Sequence, residues 1–272
     1  MTFTLVMILA WYGHFHSGES FEHAGRYQEA AVEFEAALRD AQILQVPVTL
    51  NNLGVVYRTL GRPHDAEVCY RRAIAFYEPR PDLATALATT VENLAALHLD
   101  QGHLSKAAPL YLRSYEIRVR ALPANDPAIA QSLQGMASLE HLRKRPKAAE
   151  EYYRRALAIQ ESAPTLHNLA TLLAEAKRDA EARPLLERAL AIYQQRPGHP
   201  DSAVILRRLA ELDVRAGDPA RASAEFEAAL EICQLSLPPG HPQTRMILQA
   251  YEGFLKSRAN YTIDAASLKR SK

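Results

Sequence analysis

The chain has 272 residues, 48% of them hydrophobic, with 11 glycines and a formal charge of +1 from 32 basic and 31 acidic side chains. That balance offers no general attraction to phosphate polymers, so nucleic acid is not an expected partner. The two cysteines, Cys69 and Cys233, make neither a metal-ligand set nor a disulfide framework, and they fit a reducing cytoplasm.

The first eleven residues, MTFTLVMILAW, are strongly apolar. They lack a basic lead-in and a small-residue cleavage site, and they are shorter than a hydrocarbon span of roughly 30 Å, so a buried helix is expected. A cytoplasmic protein without integral membrane association is the matching expectation; export or anchoring is the alternative, should residues 1–11 act as a signal. An apolar leading helix without a cap also leaves room for weak self-association.

From residue 30 onward one pattern recurs six times: an alanine followed seven residues later by a second small residue. The pairs are Ala30/Ala37, Ala66/Ala73, Ala107/Ser114, Ala149/Ala156, Ala182/Ala189 and Ala222/Ala229, at steps of 36, 41, 42, 33 and 40 residues. Four residues after each first alanine stands a large side chain: Phe34, Tyr70, Tyr111, Tyr153, Leu186 and Phe226. Spacings of four and three put all three positions on one helix face, where small residues let two backbones approach and the bulky one fills the gap beside them.

Twelve residues before each first alanine comes another small residue, Gly18, Gly54, Ala95, Ala137, Ala170 and Ala210, marking a partner helix. Between the two lies a turn that begins with Gly25, Gly61, Gly102, Lys144, Lys177 and Gly217 in successive units. Glycine can end a helix in the left-handed conformation, and the prolines Pro63, Pro146 and Pro219 that follow are tolerated at a helix start.

Small-after-Leu, turn glycine, alanine, aromatic and second small residue together resemble the tetratricopeptide repeat. The loop sequences Asn125-Asp126-Pro127, Gly198-His199-Pro200-Asp201 and Gly240-His241-Pro242, with the longer steps, are similar to the bacterial kinesin-light-chain-like subtype. The resemblance implies an all-α fold, a helix-turn-helix solenoid forming a right-handed superhelix of about six repeats plus a C-terminal capping helix. The repeats are expected at about residues 5–43, 47–78, 83–121, 127–161, 163–195 and 200–235, with a capping helix over 243–258 and a basic tail over 259–272. Departures from the pattern are Lys144 and Lys177 at the turn glycine, Ser114 at the second alanine and Leu186 at the aromatic.

The resemblance also places function on the face lined by the first helix of each hairpin. Asn52, Asn93 and Asn168 stand there directly before the Leu of their repeats, and a carboxamide ladder can bind the backbone of an extended peptide without dictating its sequence. Asparagine is a poor helix former and otherwise gains little there, although it can also bond neighbouring helices. The same face is expected to carry Tyr12, Phe15, Glu19, His23, Val55, Arg58, Glu92, Leu99, Gln134, Ser138, His141, His167, Thr171, Arg207, Arg208, Glu211 and Arg215. The three arginines suit an acidic side chain or a chain terminus, with internal pairing to Glu211 the equal alternative. The two-carboxylate clamp of some tetratricopeptide domains is disfavoured, because Gln134 and Val204 stand where lysines are needed.

Catalysis is not expected. His14 and His16 are two apart and point to different faces, and no HExxH, GxSxG or phosphate-loop pattern occurs. Glu33, Glu35, Glu150 and Glu151 read as solvated surface carboxylates. No cofactor or metal is anticipated. The expected function is a scaffold or adaptor for a protein or peptide partner; the alternatives are a regulatory subunit of a separate bacterial effector enzyme, such as a protease or signalling enzyme, and, less favoured, an RNA-binding helical repeat.

Overall fold

The computed structural model describes the backbone of residues 3–195, 199–238 and 240–270 and the side chains of residues 6–195, 199–238 and 240–258. Gly198 of the fifth loop lies outside the described residues, as do the last two residues of the expected tail. Among the described residues every regular element is a helix, and none is long and apolar enough to cross a membrane.

The chain divides into two compact units, Met1–Ile159 and Gln160–Lys272. The first contains α1 (Phe3–His23), α2 (Tyr27–Asp40), α3 (Val46–Thr59), α4 (Pro63–Tyr77), a 3-10 turn (Pro81–Leu83), α5 (Ala84–Asp100), α6 (Leu104–Ala121), α7 (Pro127–Leu142) and α8 (Pro146–Ile159). They pack as the hairpins α1/α2, α3/α4, α5/α6 and α7/α8, with α2, α4 and α6 also contacting the first helix of the next pair. The second unit contains α9 (Ala163–Glu175), α10 (Asp179–Gln194), α11 (Asp201–Ala216), α12 (Pro219–Ser236) and α13 (Pro242–Arg270), with hairpins α9/α10 and α11/α12 and α13 against α12.

The hairpin seams follow from residue size. Ala30, Ala37, Ala66, Ala73, Ala107, Ser114, Ala149, Ala182, Ala189, Ala222 and Ala229 are all 0% exposed, and Ala156 is 1% exposed. The six bulky residues between them are buried as well, each contributing about 1.5–3 kcal/mol of apolar burial. Close approach is required at Gly54, where an added Cβ would lie 2.6 Å from the Tyr70 ring, and at Gly18, 2.8 Å from Phe34.

Each turn ends the first helix with a residue at positive φ. Glycine does this at four turns, while Lys144 (φ 60) and Lys177 (φ 62) adopt the same conformation with a side chain attached. The geometry of the turn is thus kept where its usual residue is lost. Helix starts are fixed by Asp126, whose carboxylate accepts from the Ala128 N–H at 2.8 Å, and by Asp218, which accepts from Arg221 N–H at 3.1 Å.

The last helix is longer than its sequence reading. A cap over 243–258 followed by a tail becomes a single helix from Pro242 to Arg270, because residues 254–270 contain neither proline nor glycine to stop it.

In the second unit a charged cluster ties three helices together. Asp213 of α11, only 2% exposed, is paired with Arg183 of α10, and the Arg221 Nε lies 3.8 Å from its second oxygen. Burial, then the charge of Asp213 and a hydrogen bond to it, pushes the Glu225 carboxyl up to about 7. A folded-state pKa above the ordinary 4.5 means this group favours folding most below its unfolded pKa and loses that contribution as pH rises through about 7. Between about pH 5 and about pH 8 the melting temperature of the wild type is expected to fall relative to Glu225→Gln. Parallel melting profiles over that range would show that folding does not raise the Glu225 carboxyl.

Candidate functional site

The first helices α1, α3, α5 and α7 supply one face of the first unit. On α3 and α5 the structure links three carboxamides: Asn93 Nδ2 donates to Asn51 Oδ1 at 2.9 Å, and Asn51 Nδ2 donates to Asn52 Oδ1 at 3.3 Å. All three are half-buried. Asn51 is the member that the asparagine-before-leucine pattern does not single out; its signal is the doublet Asn51-Asn52. Farther along α3, Val55 packs partly against the core, and Arg58 Nε lies 3.4 Å from Asp100 Oδ2 at the end of α5. Gln134 on α7 is half-buried and engaged by a neighbour.

Two residues assigned to this face lie elsewhere. Phe15 is 7% exposed, stacks on Trp11 and meets Phe34 edge-on, because its position on α1 turns toward the α2 seam. Glu92 is likewise buried, one residue before Asn93 and therefore about 100° around the helix from it. It meets Arg118 of α6, which at 1% exposure is the largest fully buried side chain described. Arg118 Nη1 also donates to Ser132 Oγ at 2.7 Å and the Ala128 carbonyl at 2.9 Å, and Nη2 to Thr89 Oγ1 at 3.2 Å. Ser114 Oγ donates to the Ala88 carbonyl at 2.9 Å and lies 3.3 Å from Glu92 Oε2. The serine that departs from the repeat pattern is therefore part of this network. Burial pushes the Glu92 carboxyl up, while Arg118 and the two serine hydroxyls pull it down.

The surface carboxylates need correcting too. Glu35 accepts from Tyr57 OH at 2.7 Å and Glu33 pairs with His14 at 2.7 Å, so both join α2 to other helices rather than sitting free in solvent. His16 pairs separately with Glu19 at 2.8 Å. Tyr12 remains 56% exposed, and Val6 and Leu9 extend an apolar stripe along α1.

In the second unit α9 presents His167, Asn168 and Thr171, and α11 presents Arg207, Arg208, Glu211 and Arg215. Glu211 receives both Arg207 and Arg208, the latter at 3.0 Å. Arg215 instead forms a two-pronged pair with Asp179 of α10, at 2.7 and 2.9 Å, a partner 36 residues away that the sequence did not indicate. Burial first, then the charges of Arg208 and Arg207, holds the His167 imidazole down at about 4, so it is neutral at pH 7. Among the described residues no three His, Cys, Asp or Glu side chains gather to hold a metal ion.

Solved structures similar to this one share its fold at low identity. A Rap protein complexed with competence and sporulation factor is 15% identical, with a TM-score of 0.65 over 93% of this chain and 76% of that one. BtubC (BKLC) from P. vanneervenii is 22% identical, TM-score 0.60, over 87% and 94%. Nearly identical TPR-like repeats of kinesin light chain type from Podosopora anserina are 20% identical, TM-score 0.54, over 68% and 93%. No curated protein sequence matches the chain. A family model, tetratricopeptide repeat, matches residues 8–78, 84–162 and 161–235. With its paired helices, small-residue seams and left-handed turns, the chain belongs to the tetratricopeptide repeat family.

Proposed function

We propose that the first-helix face holds an extended peptide or a partner helix, and that the chain acts as an interaction scaffold. The observation that carries this reading is the carboxamide chain from Asn93 through Asn51 to Asn52. Its internal bonds orient the amides and leave hydrogen-bonding capacity at both ends: each terminal carboxamide has more donor and acceptor positions than the chain uses. Half-buried amides held in this way give up little side-chain freedom when a ligand backbone arrives. The family fold and the likeness to a Rap protein that is complexed with competence and sporulation factor support the same reading.

The test is selection of a displayed library of random peptides on the full chain, followed by affinity measurement on the double variant Asn52→Ala, Asn93→Ala. Loss of about tenfold in affinity is expected, with helicity unchanged and stability lowered only by the roughly 0.5–1.5 kcal/mol of the Asn93–Asn51 bond. Undiminished binding by the double variant would remove the assignment.

A further inference from the structure

The helices α2 and α4 both pack on α3 and hardly touch each other, which leaves a cleft of about 310 Å³ between these two second helices, with α3 as its bottom. The lining is apolar at Leu38, Leu50, Leu53, Val68 and Cys69. Burial pushes the Cys69 thiol up to about 11 against the opposing charge of Arg72, so the floor is uncharged at neutral pH. An apolar void of about half this volume holds a benzene ring, so the cleft has room for one leucine side chain.

The charges around the cleft are not equally committed. Of its two carboxylates, Glu35 accepts a hydrogen bond from the Tyr57 hydroxyl at 2.7 Å, and Asp65 pairs with Arg62 at 2.7 Å. Its two cations, Arg39 on α2 and Arg72 on α4, are exposed and make neither an ion pair nor a hydrogen bond among the described residues. Every other arginine of the first unit makes one or the other. The two guanidinium groups left over in this unit therefore flank one apolar cleft from opposite walls. A complementary occupant brings an aliphatic side chain with a carboxylate beside it.

Such a segment exists on the chain itself. Leu235, in the last turn of α12, is 79% exposed, more than any other large hydrophobic side chain described. Glu231 stands one helical turn before it on the same stripe, exposed and without an ion pair or hydrogen bond among the described residues. The last turn of α12 holds no basic residue, so the negative end of the helix dipole adds to the Glu231 charge.

We propose that the occupant is a second copy of the chain: Leu235 of one copy enters the α2/α4 cleft of another, and Glu231 meets Arg39 and Arg72 there. The contact joins two different patches, so each copy offers one cleft and one α12 end. It uses neither the carboxamide chain nor the apolar stripe of α1. One buried leucine and one charged cluster make a weak, salt-sensitive association, with a Kd of about 0.1–1 mM.

Sedimentation equilibrium on the full chain tests this. At low salt the weight-average mass of the wild type should rise between about 10 μM and about 1 mM, and high salt should shrink the rise. Leu235→Asp and the cleft variant Arg39→Glu, Arg72→Glu should each stay monomeric over that range. Their circular-dichroism spectra should match the wild type, because all three positions are exposed. The first variant keeps an intact cleft and the second an intact α12, so an equimolar mixture should form a one-to-one dimer that neither forms alone. A monomeric wild type overturns the proposal, and so does a mixture that stays monomeric. Association that survives both variants overturns it as well, and its loss in Leu9→Ser would then place the interface on α1.

Discussion

Arg118→Met is expected to destabilise the first unit by about 3–5 kcal/mol, because it strands the buried Glu92 carboxylate without its cation. The guanidinium joins α5, α6 and α7 through Glu92, Thr89, Ser132 and the Ala128 carbonyl, so one substitution unpairs groups on three helices at once. The double variant Glu92→Leu, Arg118→Met should recover most of the loss, since replacing both charges by apolar groups of similar volume is often neutral or better. Urea unfolding followed by circular dichroism gives the size of the effect. Stacked repeats need not unfold in one step, so hydrogen exchange is the sharper measurement. Protection should fall first in α5, α6 and α7 of the single variant. A single variant as stable as the wild type would mean that the Arg118 side chain reaches water.

The contrast between Arg118 and the alanines shows what was legible in the chain. Seams are written locally: a small residue, a bulky one four positions later and a second small one three beyond that lie on one face whatever surrounds the helix. The turns are local as well, which is why Lys144 and Lys177 were recognisable as departures, although only the backbone reveals that they keep positive φ. Glu92 and Arg118 were not legible, because their pairing joins residues 26 apart on different helices. A first helix packs both on its own partner and on the preceding hairpin, leaving a narrow open sector, and neighbouring residues are about 100° apart around it. Asn93 falls in that sector and Glu92 does not. Ser114 was the one available clue, a polar atom at a position that otherwise holds alanine. In the second unit the sequence offered pairing with Glu211 and its neighbours as one of two equal readings of the three arginines, whereas Arg215 reaches Asp179, a contact set by the stacking of α10 on α11.

Phe226→Ala is the second large effect, expected to cost about 3–5 kcal/mol and to act on α13 and on the α11/α12 seam that Phe226 also fills. Phe226 is 1% exposed, stacks on Tyr251 with ring centroids 5.2 Å apart and meets Phe254 at 5.8 Å. Around it Ala229, Cys233 and Ile247 are buried, and the Tyr251 hydroxyl donates to Glu227 at 2.7 Å. Among the described residues of α13, Ile247 and Phe254 face this cluster, while Leu248 and Leu255 are exposed. Removing the Phe226 ring therefore takes away the centre of its attachment, and Phe226→Leu, which keeps most of the volume, should cost under about 1.5 kcal/mol. Limited proteolysis should cut Phe226→Ala within residues 242–258 while α9 and α10 stay intact, because their hairpin seam at Ala182, Leu186 and Ala189 does not involve the lost ring. Cleavage spread evenly over the second unit would show instead that α13 and its hairpins open together, and that the aromatic cluster belongs to one cooperative core.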